Sequence, residues 1–324
     1  MKLSPADFAL CTPVEKGGSG RLFYRVGLPG DSRGILCCYD NSREENALYV
    51  PLARFLAKFG FPVPKVLDSI HNADGTGALL MEDAGADDLW SLRNADWPIR
   101  RSAYQSALRA LYHLHMGGYF AWVPSNTKLM PKFDEALYGW ERNYFLENAV
   151  GRYLGIELTS VEASALQQEL GELAVRLQAL PPQLVHRDCQ SQNILWKDGA
   201  ICFIDFQGMR VGTGFYDLGS LLWDPYVQFP PTERTELLDF YWNLGIPNMN
   251  QDVFGATFLD ASAQRLMQAL GAYGFLGIVK NRQDFLAHFP PALENLFAIT
   301  RSNSSLPHLH QLTVRMRDKM QSLS

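Results

Sequence analysis

The sequence predicts an α+β protein with a small β-rich N-terminal lobe, residues 1–83, and a larger, mostly helical C-terminal lobe, residues 84–324. In the first ninety residues, short apolar segments alternate with turns rich in glycine and proline, as in a sheet of short strands. Beyond that point, leucines and aromatic residues recur every three or four positions, which is the spacing of amphipathic helices. A short polar connector that contains glycine, residues 83–88, separates the two patterns and predicts a hinge.

The elements of the first lobe follow from its apolar segments. A glycine-rich turn at 16–20 joins two of them and predicts a hairpin. The one helix has Leu48, Leu52, Phe55 and Phe59 on a single face. The predicted strands are 8–14, 21–26, 34–40, 65–69 and 77–82, and the predicted helix is 42–59.

The second lobe is predicted to be helical around a segment of strand, loop and strand at 184–205. Two helices precede that segment, and the remainder, from about 219 to 324, is mostly helical. The face of the first helix is marked by Tyr104, Leu108, Leu111 and His115, and that of the second by Leu166, Leu170, Leu173, Leu177 and Leu180.

Composition restricts the classes of function. Apolar residues make up 47% and charged residues 19% of the 324 positions, which is typical of a globular protein. The net charge of −5 argues against a nucleic-acid partner, because phosphate backbones require a basic surface. The five cysteines have no metal-ligand spacing, and neither a signal peptide nor a membrane span is evident. We therefore expect reduced thiols and a soluble protein of the cytoplasm that has no membrane partner.

The polar residues of the segment at 184–205 have the layout of a phosphoryl-transfer site. Asp188 and Asn193 lie five positions apart, and Asp205 follows twelve positions later at the end of an apolar strand. Transfer from ATP requires a carboxylate near the attacking hydroxyl and oxygen ligands for Mg²⁺. We predict that Asp188 is the general base and that Asn193 and Asp205 are the metal ligands. The alternative is a polar loop between two strands that has this spacing by chance.

The glycine-rich turn of the first lobe is a candidate phosphate-binding loop. Residues without a Cβ allow the backbone to approach a phosphate closely, and consecutive N–H groups can bind an anion. The alternative is an ordinary hairpin turn. The residues concerned are Gly17, Gly18, Ser19 and Gly20.

A positive charge expected for ATP is missing from the third predicted strand, which contains no lysine. Arg21 and Arg25 lie on one face of the preceding strand, and we hypothesise that one of them supplies this charge. Ordinary solvated strand residues are the alternative. Helical spacing places both Glu44 and Glu45 near the apolar face of the helix and does not choose between them as a partner.

Residues around the connector and the loop have secondary roles. At the connector, the backbone of Met81, Glu82 and Asp83 is expected to offer hydrogen bonds to the adenine edge. Asp217, twelve residues after Asp205, is expected to hold the loop that carries Asp188. His186 is expected to be structural.

The segments HRDCQSQNIL and IDFQGMRVGTGFYDLGSLLWDPY resemble the aminoglycoside phosphotransferase and choline kinase superfamily. The resemblance is closest to bacterial cell-wall amino-sugar kinases, which phosphorylate the anomeric hydroxyl of N-acetylmuramate and N-acetylglucosamine. KGGSGRLFYRV resembles the nucleotide loop of that branch, and Glu45 its helix glutamate. The resemblance implies a bilobal, protein-kinase-like fold and ATP with Mg²⁺ as cofactors. A protein substrate is also disfavoured, since Asp217 follows Asp205 by only twelve positions, which leaves no room for a long activation loop.

The acceptor is less well determined by the sequence. Glu141 lies in a predicted helix where the superfamily builds acceptor pockets, and Asp224 lies beside Trp223 and Tyr226, so that both are candidate substrate ligands. Either could equally belong to a solvated helix face. The leading hypothesis is therefore an ATP-dependent kinase of an amino sugar. An aminoglycoside, choline-like amine or other alcohol as acceptor, or a nucleotide-binding regulator with little activity, are the alternatives.

Overall fold

The structure is a computed structural model, and it describes residues 11–14, 21–30 and 32–322. It has the predicted α+β architecture, with a five-stranded sheet in the N-terminal part and helices in the C-terminal part. The strands are β1 Thr12–Pro13, β2 Leu22–Gly27, β3 Arg33–Tyr39, β4 Val66–His71, β5 Gly77–Glu82, β6 Gln183–Val185, β7 Ile194–Lys197, β8 Ala200–Phe203 and β9 Arg210–Gly212. The α-helices are α1 Tyr49–Phe59, α2 Trp97–Trp122, α3 Glu135–Phe145, α4 Ser160–Gln178, α5 Phe215–Leu222, α6 Pro231–Trp242, α7 Gln251–Gly274, α8 Phe289–Ser302 and α9 Pro307–Gln321.

The chain divides into two compact units, and each consists of two stretches of sequence. The first unit comprises residues 1–130 and 192–209, and the second comprises residues 131–191 and 210–324. The loop segment at 184–205 is therefore shared between the units. The boundary at residue 83, drawn from composition, stays a prediction.

The first unit is built on an antiparallel sheet with strand order β1-β2-β3-β5-β4. Helix α1 packs its buried face, with Leu52 and Leu56, into the core of this unit. The hairpin of β7 and β8 joins the same core, because the Phe203 ring lies 4.6 Å from that of Phe61 and its N–H donates to Pro62 O at 2.8 Å. These contacts fix the end of β8, where Asp205 follows.

Helix α1 begins seven residues later than the sequence analysis predicted. Residues Glu44–Leu48 form a 3-10 turn instead, and the α-helix starts at Tyr49. Pro51 explains this start, since proline has no N–H to donate and fits only the first turn of a helix. The predicted strand 8–14 is observed only as Thr12–Pro13, and residues 8–10 lie outside the described part of the chain.

The second unit is a helical assembly around α7, a helix of 24 residues with buried side chains along most of its length. Helices α5 and α7 approach closely, because a Cβ on Gly219 would lie 2.8 Å from Ser262 Cα. The two short strands β6 and β9 pair in antiparallel fashion and lead into the loop of Asp188 and into α5. The second half of the unit is helical, as predicted. None of the described helices is sufficiently long and apolar to cross a membrane.

Candidate active site

The loop that carries Asp188 is fixed at its start by Asp217. The Asp217 carboxylate, fully buried at the beginning of α5, accepts the backbone N–H of His186 at 2.7 Å and that of Arg187 at 2.9 Å. Arg187 has a φ of +80°, an uncommon conformation for a residue with a side chain. These two hydrogen bonds hold the loop in that conformation, and the prediction that Asp217 holds the loop is confirmed.

The Asp188 carboxylate faces two arginines. Arg187 Nη1 lies 3.2 Å from one of its oxygens and Arg265 Nη2 lies 3.8 Å from the other, and the side chain is 31% exposed. Burial works to raise the pKa of Asp188, but the surrounding positive charges, with Arg187 and Arg265 first among them, together outweigh it, so that the pKa lies below its usual range. The carboxylate is therefore ionised at neutral pH and able to accept a hydrogen bond.

The far end of the loop is tied to Asp224. One oxygen of this buried carboxylate accepts the backbone N–H of Ser191 at 2.7 Å, and the other accepts that of Tyr226 at 2.9 Å. Burial raises the pKa of Asp224, and the bond from Ser191 opposes this shift. Both oxygens of this candidate substrate ligand are thus bonded to backbone groups of the second unit.

Glu141, the other candidate substrate ligand, lies in the core of the second unit with no exposed surface. Its two oxygens accept hydrogen bonds from Tyr216 Oη at 3.1 Å and from Gln264 Nε2 at 2.8 Å. Burial raises the pKa of Glu141, although the nearby Arg187 opposes this shift. The structure therefore places Glu141 in a side-chain network between α3, α5 and α7.

The two candidate metal ligands lie together in the first unit, at the ends of β7 and β8. Asn193 directly precedes β7, and its backbone O accepts the N–H of Ile204 at 2.9 Å. Asp205 follows β8 in a left-handed conformation, with φ +63°. One oxygen of Asp205 accepts bonds from Arg21 Nη2 and Gln207 Nε2, both at 2.7 Å. The Asp205 side chain is 37% exposed, so that a small ion can reach it.

The described residues contain no group of three or more His, Cys, Asp and Glu side chains that could hold a metal ion. Mg²⁺ commonly binds through one or two protein oxygens and takes its other ligands from water and phosphate. Asp205 and Asn193 therefore fit Mg²⁺ and not a soft metal.

The predicted nucleotide ligands of the first unit are only partly described. Gly17, Gly18, Ser19 and Gly20 lie outside the described residues. Arg21 contacts Asp205, whereas Arg25 forms a two-pronged ion pair with Asp83, at 2.6 and 3.2 Å. Glu45 Oε1 lies 3.4 Å from Arg43 Nη1. Of the two arginines considered as a replacement for the lysine, Arg21 is the one next to a predicted metal ligand.

The predicted hinge residues are partly engaged within the first unit. The N–H of Glu82 donates to Lys65 O at 3.0 Å, and that of Asp83 donates to Arg33 O at 3.4 Å. Met81 Sδ accepts a hydrogen bond from Tyr49 Oη at 3.2 Å. The N–H groups of residues 82 and 83 are therefore used by the sheet and its edge.

One residue beside Asp188 was not predicted from the sequence. Arg265 is buried in α7, where its Nε donates to Ser220 Oγ at 3.1 Å and another of its nitrogens to Gln268 Oε1. An arginine in an otherwise apolar helical stretch was the available signal, because a buried charge requires a partner. The sequence did not indicate which acid would be that partner.

Comparisons with known proteins agree with this arrangement. Two curated relatives are N-acetylmuramate/N-acetylglucosamine kinases. The one from Pseudomonas aeruginosa is 25% identical over 93% of this chain and 86% of its own length, and the one from Neisseria meningitidis is 28% identical over 59% of each chain. Among solved structures, the amicoumacin kinase hAmiN in complex with AMP-PNP, Ca²⁺ and Ami superposes with a TM-score of 0.60 at 19% identity, covering 95% of this chain and 92% of that one.

The solved structure shows that the kinase-like fold extends over nearly the whole chain. A family model, described as the phosphotransferase enzyme family, matches residues 11–248 and so includes the positions of Asp188, Asn193 and Asp205. The chain therefore belongs to the phosphotransferase enzyme family and is a small-molecule kinase.

Proposed function

We propose that this kinase transfers the γ-phosphoryl group of ATP to the anomeric hydroxyl of an N-acetylated amino sugar, with Mg²⁺, in the cytoplasm. The name shared by the two curated relatives supports the sugar, since one of them aligns with 93% of the chain. The observation that carries the proposal is the position of the Asp188 carboxylate. It pairs with Arg265 and lies on a loop whose two ends are hydrogen-bonded to Asp217 and Asp224. The alternative acceptors, an aminoglycoside, a choline-like amine or another alcohol, are outcomes of the test below.

Asp188 is the group to which we assign the acceptor proton. As the acceptor oxygen bonds to the γ-phosphorus, the bond from that phosphorus to the bridging oxygen breaks, ADP leaves with the electron pair, and the hydroxyl proton passes to Asp188. The low pKa of Asp188 suits a residue whose main task is to orient the hydroxyl, because phosphoryl transfer depends chiefly on positioning.

Asn193 and Asp205 are proposed to hold Mg²⁺. Arg21 and Gln207 both bind the same oxygen of Asp205, and within the described residues the second oxygen accepts no hydrogen bond and is available to a cation. When bound, the ion would neutralise charge on the transferring phosphate. The AMP-PNP and Ca²⁺ of the hAmiN complex support a nucleotide and a divalent ion at such a site.

Arg21 is proposed to supply the positive charge that the third strand lacks. It is held against Asp205 in the first unit, so it lies where phosphate oxygens bound to the same ion would be. Arg25 is committed to Asp83, and we assign it to holding the connector. The nucleotide-binding roles of the other candidate residues stay predictions. These residues are Gly17, Gly18, Ser19, Gly20, Glu45, Met81, Glu82 and Asp83.

Glu141 and Asp224 are proposed to shape the second unit and not to touch the sugar. Each is fully buried, and each has both oxygens bonded to groups of the same unit. A carboxylate that bound sugar hydroxyls would have to give up these hydrogen bonds, each worth about 1.5–3 kcal/mol when the acceptor is charged.

Coupled ADP release tests the proposed acceptor. We expect turnover with N-acetylmuramate and N-acetylglucosamine, and none with their methyl glycosides, which lack the anomeric hydroxyl. The product should lose its reducing end, and its phosphorus should couple to the anomeric proton in NMR spectra. Turnover with kanamycin or choline and not with either amino sugar would overturn the proposed acceptor.

The role of Asp188 needs a matched pair of variants. Asp188→Asn keeps the shape of the side chain but removes the carboxylate, and we expect a loss of kcat of about 10²-fold or more. Asp284→Asn is the control, since Asp284 is exposed and its carboxylate is paired with the exposed Arg282. A rate for Asp188→Asn within threefold of that control would rule out Asp188 as the proton acceptor.

A further inference from the structure

Arg265 reaches Asp188 from outside the loop that carries it. Arg187, the other arginine beside this carboxylate, is its neighbour in sequence and belongs to the same loop. Arg265 belongs to α7, and its Nη2 faces the opposite carboxylate oxygen at 3.8 Å. The carboxylate therefore lies between one arginine of its own loop and one of a buried helix.

The Arg265 guanidinium is itself fixed in orientation. Its Nε donates to Ser220 Oγ of α5, a second nitrogen donates to Gln268 of α7, and its Cζ lies 6.0 Å from the centre of the Tyr216 ring. The residue is 7% exposed and remains charged, since arginine does not lose its proton in proteins. A planar donor group held at two points can orient a third partner.

The backbone beneath Arg265 has little freedom to shift. Helix α7 passes α5 at Gly219, where a Cβ would meet Ser262 Cα at 2.8 Å. One residue before Arg265, Gln264 is bonded to Glu141 of α3 at 2.8 Å. The position of Arg265 along the helix is thus determined by contacts on both sides of it.

We propose that Arg265 is a positioning residue that holds the Asp188 carboxylate in the orientation needed to receive the acceptor hydroxyl. This rests on the proposed role of Asp188 as the group that takes the proton. Arg265 acts through Asp188 and does not bind the sugar or ATP. Its contribution is geometric, and an error of about 1 Å in such a group can cost a factor of about 10² in rate.

Two variants separate charge from geometry, and a third serves as a control. Arg265→Gln removes the charge, and Arg265→Lys keeps the charge but loses the planar fork. Arg234→Gln is the control, because Arg234 is another arginine of the second unit. It is half-buried, stacked 3.4 Å over Trp223 and bonded to backbone oxygens of Leu222 and Phe229. It has no contact with Asp188 and should alter stability only.

The kinetic result expected for Arg265→Gln is a fall in kcat of about 10²-fold, with KM for ATP and for the sugar changed by less than threefold. Arg265→Lys should recover about tenfold of this loss, and Arg234→Gln should keep kcat within threefold of the wild type. A rise in sugar KM with kcat unchanged would overturn the proposal, since Arg265 would then bind the acceptor.

A second readout requires no turnover and stands even if the proposed acceptor is wrong. The ¹³C signal of the Asp188 carboxyl, identified by its loss in Asp188→Asn, should titrate at higher pH in Arg265→Gln than in the wild type or Arg234→Gln. The titratable and charged groups that interact with Asp188 are His186, Arg187, Cys189, Arg210, Tyr216, Tyr226 and Arg265. An unchanged Asp188 titration in Arg265→Gln would refute the contact itself.

Discussion

The close passage of α7 over the segment that follows α3 can be tested with a single methyl group. A Cβ on Gly274, the last residue of α7, would lie against the carbonyl oxygen of Asn148 and 2.7 Å from its carbonyl carbon. Ordinary contacts begin near 3.4 Å, so the two backbones would have to separate by several tenths of an ångström. Because the opposing atoms are backbone, no side-chain rotation can relieve the contact.

The expected magnitude for Gly274→Ala combines two opposing effects. Overpacking of a close-packed site costs typically about 1–3 kcal/mol, and the upper end applies where only backbone can move. Alanine regains about 1 kcal/mol over glycine within a helix. The net loss of stability is therefore about 2 kcal/mol, which lowers the Tm of a unit of this size by about 4–8 °C.

Gly255→Ala, in the same helix, is the matched control. Among the described residues outside its own helical turn, a Cβ on Gly255 would have no neighbour within 4 Å, so only the gain in helix propensity remains. We expect a stability increase of about 1 kcal/mol, and a rise in Tm of about 2–4 °C. Scanning calorimetry of the wild type and both variants gives the comparison.

Gly274→Ala should also lower kcat, since α7 carries Gln264 and Arg265, whereas Gly255→Ala should leave it unchanged. If the two variants had the same Tm within 1 °C, the close helix contact would not exist as described. A lowered Tm with full activity would show that the contact does not determine the position of Arg265.

Three further predictions concern individual side chains. Arg21→Ala should raise KM for ATP about tenfold, since one charge-assisted contact near Asp205 is lost. Arg25→Ala should change KM for ATP less than threefold, and equal effects of the two variants would contradict the choice of Arg21. Asp217→Asn should lower the Tm by several degrees and reduce kcat, because the negative charge that accepts two backbone N–H groups is removed. An unchanged Tm together with an unchanged kcat would refute the role of Asp217 in holding the loop. Burial raises the pKa of Glu141 in the folded protein, so its contribution to stability is present below its unfolded pKa and is lost as pH rises through the folded value. As the pH rises from 4.5 to 7.5, the Tm of the wild type minus the Tm of Glu141→Gln should therefore decrease. An increase of this difference over the same range would contradict the direction of the pKa shift.

The parts of the site that the sequence predicted well are those determined by short stretches of chain. Asp188 and Asp217 belong to one continuous motif, and the spacing of that motif already implied that the second residue would hold the loop of the first. The strand before Asp205 was evident from its apolar residues, since β8 is observed at Ala200–Phe203. Local pattern was sufficient here because each element is short and its neighbours follow closely.

Contacts between distant helices were beyond the reach of the sequence. Helical periodicity predicted the helix of Glu141 but did not say whether this residue lines a pocket, lies on a solvated face or is buried in the core. The answer depends on Gln264 and Tyr216, which reach Glu141 only after α5 and α7 have packed against α3. The same dependence on helix crossings explains why Arg265 was missed, since no local feature links it to Asp188.

The carboxylates around the loop have two kinds of role: some hold the structure in place, and Asp188 is proposed to take part in the reaction. Asp217 and Asp224 are buried and accept backbone N–H groups at the two ends of the loop, while Glu141 is buried in a network of side chains. Among these acids, Asp188 is the one that is partly exposed, and its two oxygens are ion-paired with Arg187 and Arg265. Buried, bonded acids keep the loop rigid, and rigidity matters because transfer of a phosphoryl group depends on where the acceptor oxygen is held more than on the strength of the base. A loop supported in this way holds in place Asp188, the carboxylate that we propose meets the incoming hydroxyl.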